Sequence, residues 1–156
     1  MARGVEGAGR RARLLPLADG GEGTLAVLCP EPADVRVARV TGPLGGPVDA
    51  PWGLREGTAV VECARASGLA LVDGPNDPLV ATTRGTGELI RLALDAGVRR
   101  VIVAVGGSAT VDGGLGALEA LGFDLRGANV LVACDVETTF VEAARVFGPQ
   151  KGADPA

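Results

Sequence analysis

The sequence predicts an α/β fold, on three observations. Val101-Ile102-Val103-Ala104-Val105 is a continuous apolar, β-branched run, the pattern of a strand covered on both faces in a parallel sheet. It breaks at Gly106-Gly107-Ser108-Ala109-Thr110, and past Asp112 a small-residue segment carries Leu115, Leu118 and Leu121 at helical spacing up to a stop at Gly122. A second strand, Gly-rich turn, helix unit stands near the N-terminus: Arg13 to Leu17, then Ala18-Asp19-Gly20-Gly21-Glu22-Gly23-Thr24, then Leu25 to Leu28.

A strand that enters a helix through glycines is how α/β proteins build anion sites. Backbone N–H groups stay free in the turn, the helix dipole adds positive potential, and the missing side chains let a ligand approach. A phosphate, nucleotide or carboxylate is the ligand this chemistry suits. A turn that only redirects the chain has the same composition, so the pattern alone leaves both readings open. No Gly-Lys-Ser/Thr follows, so this is not a Walker A loop, and no Gly-x-Gly-x-x-Gly follows the strand, so a dinucleotide fingerprint is unsupported.

The remaining elements follow in order. Residues 1–13 read as the end of a helix or a disordered leader. Val35 to Thr41, Val48 to Trp52 and Thr58 to Cys63 read as an antiparallel meander, with Gly42-Pro43-Leu44-Gly45-Gly46-Pro47 as its first turn. A brief helical turn spans Ala64 to Gly68, and Asp73-Gly74-Pro75-Asn76-Asp77-Pro78 is a loop of strong breakers. Thr82-Thr83-Arg84 opens a helix whose stripe is Leu89, Ile90, Ala93 and Leu94. Arg84 there suits bidentate binding of a carboxylate or phosphate, or a solvated place beside a cap. Asn129 to Cys134 is a further strand, and Asp135 follows it directly, where α/β folds collect ligands. Val141 to Val146 reads as helical, and Phe147-Gly148-Pro149-Gln150-Lys151-Gly152 as a turn. Asp19 and Glu22 put carboxylates at the first Gly-rich turn, as cap and first-turn acid or as ligands for Mg²⁺ beside phosphates.

Composition removes several function classes. With no His, Ser-His-Asp triads, His-metal sites and imidazole acid–base chemistry are excluded within these 156 residues. With no Tyr, one Trp, three Phe and a net charge of −4, neither a base-stacking platform nor a general polyanion binder is expected, so no nucleic-acid partner is. No apolar run reaches membrane-span length and the start lacks an apolar signal region, so a cytoplasmic protein without a membrane partner is expected. Cys29, Cys63 and Cys134 are odd in number and widely spaced, which fits a reducing compartment and neither zinc nor disulfides. The cations are 14 Arg and the single Lys151.

Six stretches together are specific. They are Leu15 to Thr24, Val40-Thr41-Gly42-Pro43-Leu44-Gly45, Thr82 to Ile90, Gly106 to Gly114, Ala133-Cys134-Asp135-Val136 and Phe147 to Ala153. In this order the chain resembles bacterial glycerate kinases of the type not built on a P-loop. The resemblance implies ATP-dependent phosphorylation of D-glycerate to a phosphoglycerate, with ATP and Mg²⁺ as cofactors. It implies an incomplete Rossmann-like part over residues 1–34 and a mixed α/β part with short antiparallel strands over 35–156. By the same resemblance Asp19, Asp112 and Lys151 would be catalytic. Arg84, Gly106, Gly107, Ser108, Thr110 and Gly113 would bind phosphate or substrate, and Asp135 would hold metal. Members of the family are much longer, which implies truncation at both ends and self-association through the surfaces thereby opened. The other reading is a catalytically inactive relative that binds anions or nucleotides, or self-associates.

Overall fold

The structure, a computed structural model, describes residues 2–154. Five strands form one sheet whose spatial order follows the sequence: β1 (Val35–Thr41), β2 (Pro47–Arg55), β3 (Thr58–Glu62), β4 (Arg100–Ala104) and β5 (Asn129–Ala133). The first three make the expected antiparallel meander. Its second hairpin turns on Glu56 and Gly57, both at positive φ (49° and 74°), the geometry whose twist matches the flanking strands. The meander is continuous with the parallel strands: β3 pairs parallel with β4 and β4 parallel with β5.

The helices are α1 (Ala2–Gly7), α2 (Thr24–Leu28), α3 (Cys63–Ser67), α4 (Arg84–Asp95), α5 (Leu115–Leu121) and α6 (Phe140–Phe147). A parallel connection needs a crossover, and α3 with α4 supplies it between β3 and β4, α5 between β4 and β5. The apolar stripe of α4 lands on the sheet: Leu89, Ile90, Ala93 and Leu94 are buried among Val40, Trp52, Ala59, Val61, Val101 and Val103. The opposite face of β3 is covered by α2, through Leu25 and Cys29 on Val60. β3 is thus buried on both faces, whereas Ile102 of β4 stays half-exposed. Helices α4 and α5 meet at Gly87, where a Cβ would lie 2.6 Å from the Ala117 Cα.

Two expectations change. Arg13 to Leu17 is not a strand: Leu14, Leu15 and Leu17 are 75%, 73% and 82% exposed in irregular chain. No strand of the described residues runs beside it, and Pro16 removes a donor, so there is nothing to pair with. Of the α5 leucines only Leu121 is buried. Residues 2–7 are helical, and Met1 lies outside the described residues. β5 has β4 on one side and no strand of the described residues on the other, and Leu131 and Val132 on it are exposed. None of the described helices is long and apolar enough to cross a membrane.

Leu89 has no exposed surface and stands at the centre of the α4–sheet contact. Leu89→Ala is expected to lower stability by about 2–5 kcal/mol, the transfer loss plus the cavity left behind. Urea titration reads this as a lower midpoint at unchanged slope.

Candidate anion-binding site

β4 runs out into the Gly-rich turn, and three contacts fix the turn's path. The Gly106 N–H donates to the Gly20 carbonyl at 3.0 Å, which joins the two Gly-rich turns. The Leu69 N–H donates to the Gly107 carbonyl and the Ala109 N–H to the Ser67 carbonyl, both at 2.9 Å. This short ladder, centred on Gly68 and Ser108, holds the turn against the end of α3. Gly107 sits at φ 71°, a conformation open mainly to glycine, with the Glu22 carboxylate packed against it. Beneath lies a buried polar layer in which Ser67 and Thr86 share a hydrogen bond and the Thr86 hydroxyl donates to the Cys63 sulfur. Burial pushes the Cys63 thiol up, so the layer stays neutral.

The ladder takes the Gly107 carbonyl and the Ala109 N–H of the turn, and the Gly106 N–H is taken by Gly20. Among the described residues neither the Gly107 N–H nor the Ser108 N–H has an acceptor. Lys151, on the 3₁₀ turn Pro149–Lys151 after α6, reaches back to the same place. Its Nζ donates to Ser108 Oγ and to the Thr110 carbonyl, each at 2.7 Å. Among the described residues it makes no ion pair. Burial holds its pKa below the ordinary 10.5, with the Asp112 carboxylate pulling the other way. An ammonium has three N–H donors, two are committed to protein, and one remains. Together Gly106, Gly107, Ser108, Asp135, Gln150 and Lys151 line a cavity of about 390 Å³. Two amides, a hydroxyl and an ammonium thus belong to residues that line one cavity, and they are the donors an anionic group requires.

The other sequence candidates lie elsewhere. Thr110 takes part through its carbonyl. Asp112 spends its carboxylate on helix ends: Oδ1 accepts from Gly114 N–H, and Oδ2 from Gly116 N–H, Thr83 N–H and Thr83 Oγ1. Three donors crowd Oδ2 and one reaches Oδ1. Arg84 is exposed and pairs with Glu88 at 3.2 Å, and Glu88 in turn accepts from the Thr41 N–H and hydroxyl. It does not line the cavity. Gly113 faces the Phe140 ring. Asp19 is exposed, with Oδ1 taken by the Gly21 N–H, on the turn that meets Gly106.

Asp135 stands at the end of β5 on the cavity wall, as its place after a parallel strand suggested. Among the described residues no three His, Cys, Asp or Glu side chains cluster as a cation site. Mg²⁺ beside phosphates needs only one or two protein carboxylates, so Asp135 on the cavity wall is compatible with it. Asn76 is the residue sequence reasoning passed over. Its Nδ2 donates to the carbonyls of Ala109 (2.9 Å) and Lys151 (2.7 Å). Its only local signal is a loop of Gly, Pro and Asp.

Residues 1–129 match the sequence profile of the glycerate kinase family. The chain is similar to Glycerate 2-kinase of Escherichia coli (strain K12), 44% identical over 91% of this chain and 47% of that protein. It is 45% identical to Glycerate kinase of Bacillus subtilis (strain 168), over 90% of this chain and 47% of that one. A crystal structure described as that of a glycerate kinase 2 from Salmonella typhimurium LT2 superposes with a TM-score of 0.78 at 42% identity, covering 97% of this chain and 50% of that chain. The chain spans about half the length of the relatives it matches. On the family match over residues 1–129, the identities and the superposition, this chain belongs to the glycerate kinase family.

Proposed function

We propose that this chain takes part in ATP-dependent phosphoryl transfer to D-glycerate, giving a phosphoglycerate. The observation that carries the reading is a cavity lined by Gly107, Ser108 and Lys151, with two amides unpartnered among the described residues, one hydroxyl and an ammonium, in a chain whose relatives bear the name glycerate kinase. Phosphoryl transfer is mostly positioning and charge neutralisation, which these donors supply without histidine. The Gly107 and Ser108 amides hold the oxygens of the transferring group, and Lys151 offsets their charge. Asp135, which lines the same cavity, would hold Mg²⁺, and a bound cation neutralises phosphate charge. Asp19 keeps one carboxylate oxygen uncommitted among the described residues and would accept the proton of the attacking hydroxyl. Asp112 serves by holding the starts of α4 and α5 together. The division at residue 34 into a Rossmann-like part and a mixed part belongs to the same reading.

One observation favours a second reading. The β5 edge is unpaired among the described residues and the chain spans half of its relatives' length. Such an edge pairs readily with another chain, so anion binding with self-association and no turnover is the alternative. Incubation with D-glycerate and Mg-ATP, read by mass spectrometry, decides between them: phosphoglycerate is expected, and its absence at high protein concentration overturns the first reading. Light scattering checks the alternative, which a stable monomer removes.

Lys151→Met is expected to weaken ATP binding about 10- to 100-fold by calorimetry, the worth of one charge-assisted hydrogen bond. The pH dependence has a definite sign. Lys151 titrates below 10.5, so its share of anion affinity is full below that lowered pKa and is lost as pH rises through it. The unfolded chain still binds the proton between the two values, so this group's effect on fold stability is opposite, a gain as pH rises there. Loss of affinity that sets in as pH rises but is still short of 10.5, absent in Lys151→Met, is the expected result.

Asp112→Asn keeps the shape and removes acceptors. It is expected to cost about 1–3 kcal/mol of stability in urea titration. Because Asp112 does not line the cavity, ATP affinity should change less than in Lys151→Met.

A further inference from the structure

The geometry points to Asn76 as a positioning residue: one side-chain amide ties the Lys151 segment to the Gly-rich turn and so sets the ammonium against Ser108. The functional half of this rests on the anion-binding reading above. Nδ2 bridges two carbonyls far apart in sequence, those of Ala109 and Lys151. Both partners are acceptors, which fixes the orientation of the amide, since the flipped form would set its oxygen against two carbonyls. Ala109 lies between the two residues that receive the Lys151 ammonium, Ser108 and Thr110. The bond from Asn76 and the bonds from Nζ therefore close one loop around a single lysine.

Little else holds that lysine in place. Neither α6 nor the 3₁₀ turn Pro149–Lys151 contains a buried residue. Apolar packing therefore does little to locate the segment, and directional bonds must. Lysine is a flexible point charge that loses rotamer freedom when held, so a fixed backbone beneath it matters. Asn76 also leaves its Oδ1 buried without a partner among the described residues. Such an orphan is costly and calls for a reason, and the two donations on the other side of the amide supply one.

The test uses the fact that the chain has one lysine. A sample with ¹⁵Nζ-labelled lysine gives a single side-chain ammonium signal, whose solvent exchange and titration report Lys151 with no ligand present. In Asn76→Ala and in the near-isosteric Asn76→Asp, exchange of those protons is expected to be at least about tenfold faster, the loss of one hydrogen bond's worth of order. In Asn76→Ala the titration midpoint should also rise toward 10.5. Unchanged exchange and midpoint in both folded variants overturn the proposal; if Asn76→Ala does not fold, Asn76→Asp decides it through exchange alone. Titration with ATP then reads the functional half. Asn76→Ala should weaken binding about tenfold, yet cause no further loss in a Lys151→Met background, because the two act through one group. Full additivity would assign Asn76 a separate role and overturn the positioning proposal. A wild-type signal indifferent to ATP would sink the anion-site reading, while the exchange data still decide whether Asn76 places Lys151.

Discussion

The parallel pairing of β3 with β4 is the constraint on which the rest depends. Its register, Ala59 with Val101 and Val61 with Val103, brings the ends of the two strands side by side. The segments that leave them, α3 with its following turn and Gly106 to Thr110, must then run together. They share the Ser67–Ala109 and Leu69–Gly107 bonds, which use the Gly107 carbonyl and the Ala109 amide of the turn. That pairing fixes the path of the turn and leaves the Gly107 and Ser108 amides without acceptors among the described residues. β3 is held by burial on both faces and by Glu62, whose carboxylate accepts from the Leu25 N–H and from Arg65. A buried charge survives only when its oxygens are satisfied, and this one also anchors α2.

Periodicity made the regular elements legible. The β-branched run of β4, the α4 stripe and the meander are local patterns, and each appears where its pattern lies. Residues Gly106 to Ser108, Asp135 and Lys151 were legible as types that bind anions or cations, and they do share one cavity. The failures are nonlocal. Arg13 to Leu17 has the composition of a strand, but a strand needs a neighbour and none of the described strands lies beside it. Asp112 and Arg84, expected among the binding groups, do not line that cavity, a matter of placement that residue type does not reveal. Their partners, Thr83 and Glu88, were in plain view as residues but not as neighbours in space. Asn76 showed only as one residue of a breaker-rich loop, because its two acceptors lie 33 and 75 positions away.

The same contrast explains why one lysine occupies the site in a chain otherwise built on arginine. Arg39, Arg65, Arg84 and Arg126 each face a carboxylate at or near the surface. A guanidinium has a planar fork suited to two oxygens of one acceptor group. The acceptors at the turn are of another kind: a hydroxyl and a carbonyl from residues two apart, each 2.7 Å from a single nitrogen. A compact ammonium can satisfy both and keep a third N–H for a ligand, whereas a fork anchored on these two atoms would need more room than a half-buried pocket edge gives. Burial that lowers the pKa of Lys151 is the cost of that placement, and the absence of an ion pair among the described residues is what makes it useful. An arginine already bound to a carboxylate has little charge left to offer, but an ammonium held only by neutral oxygens keeps its full charge for an incoming anion.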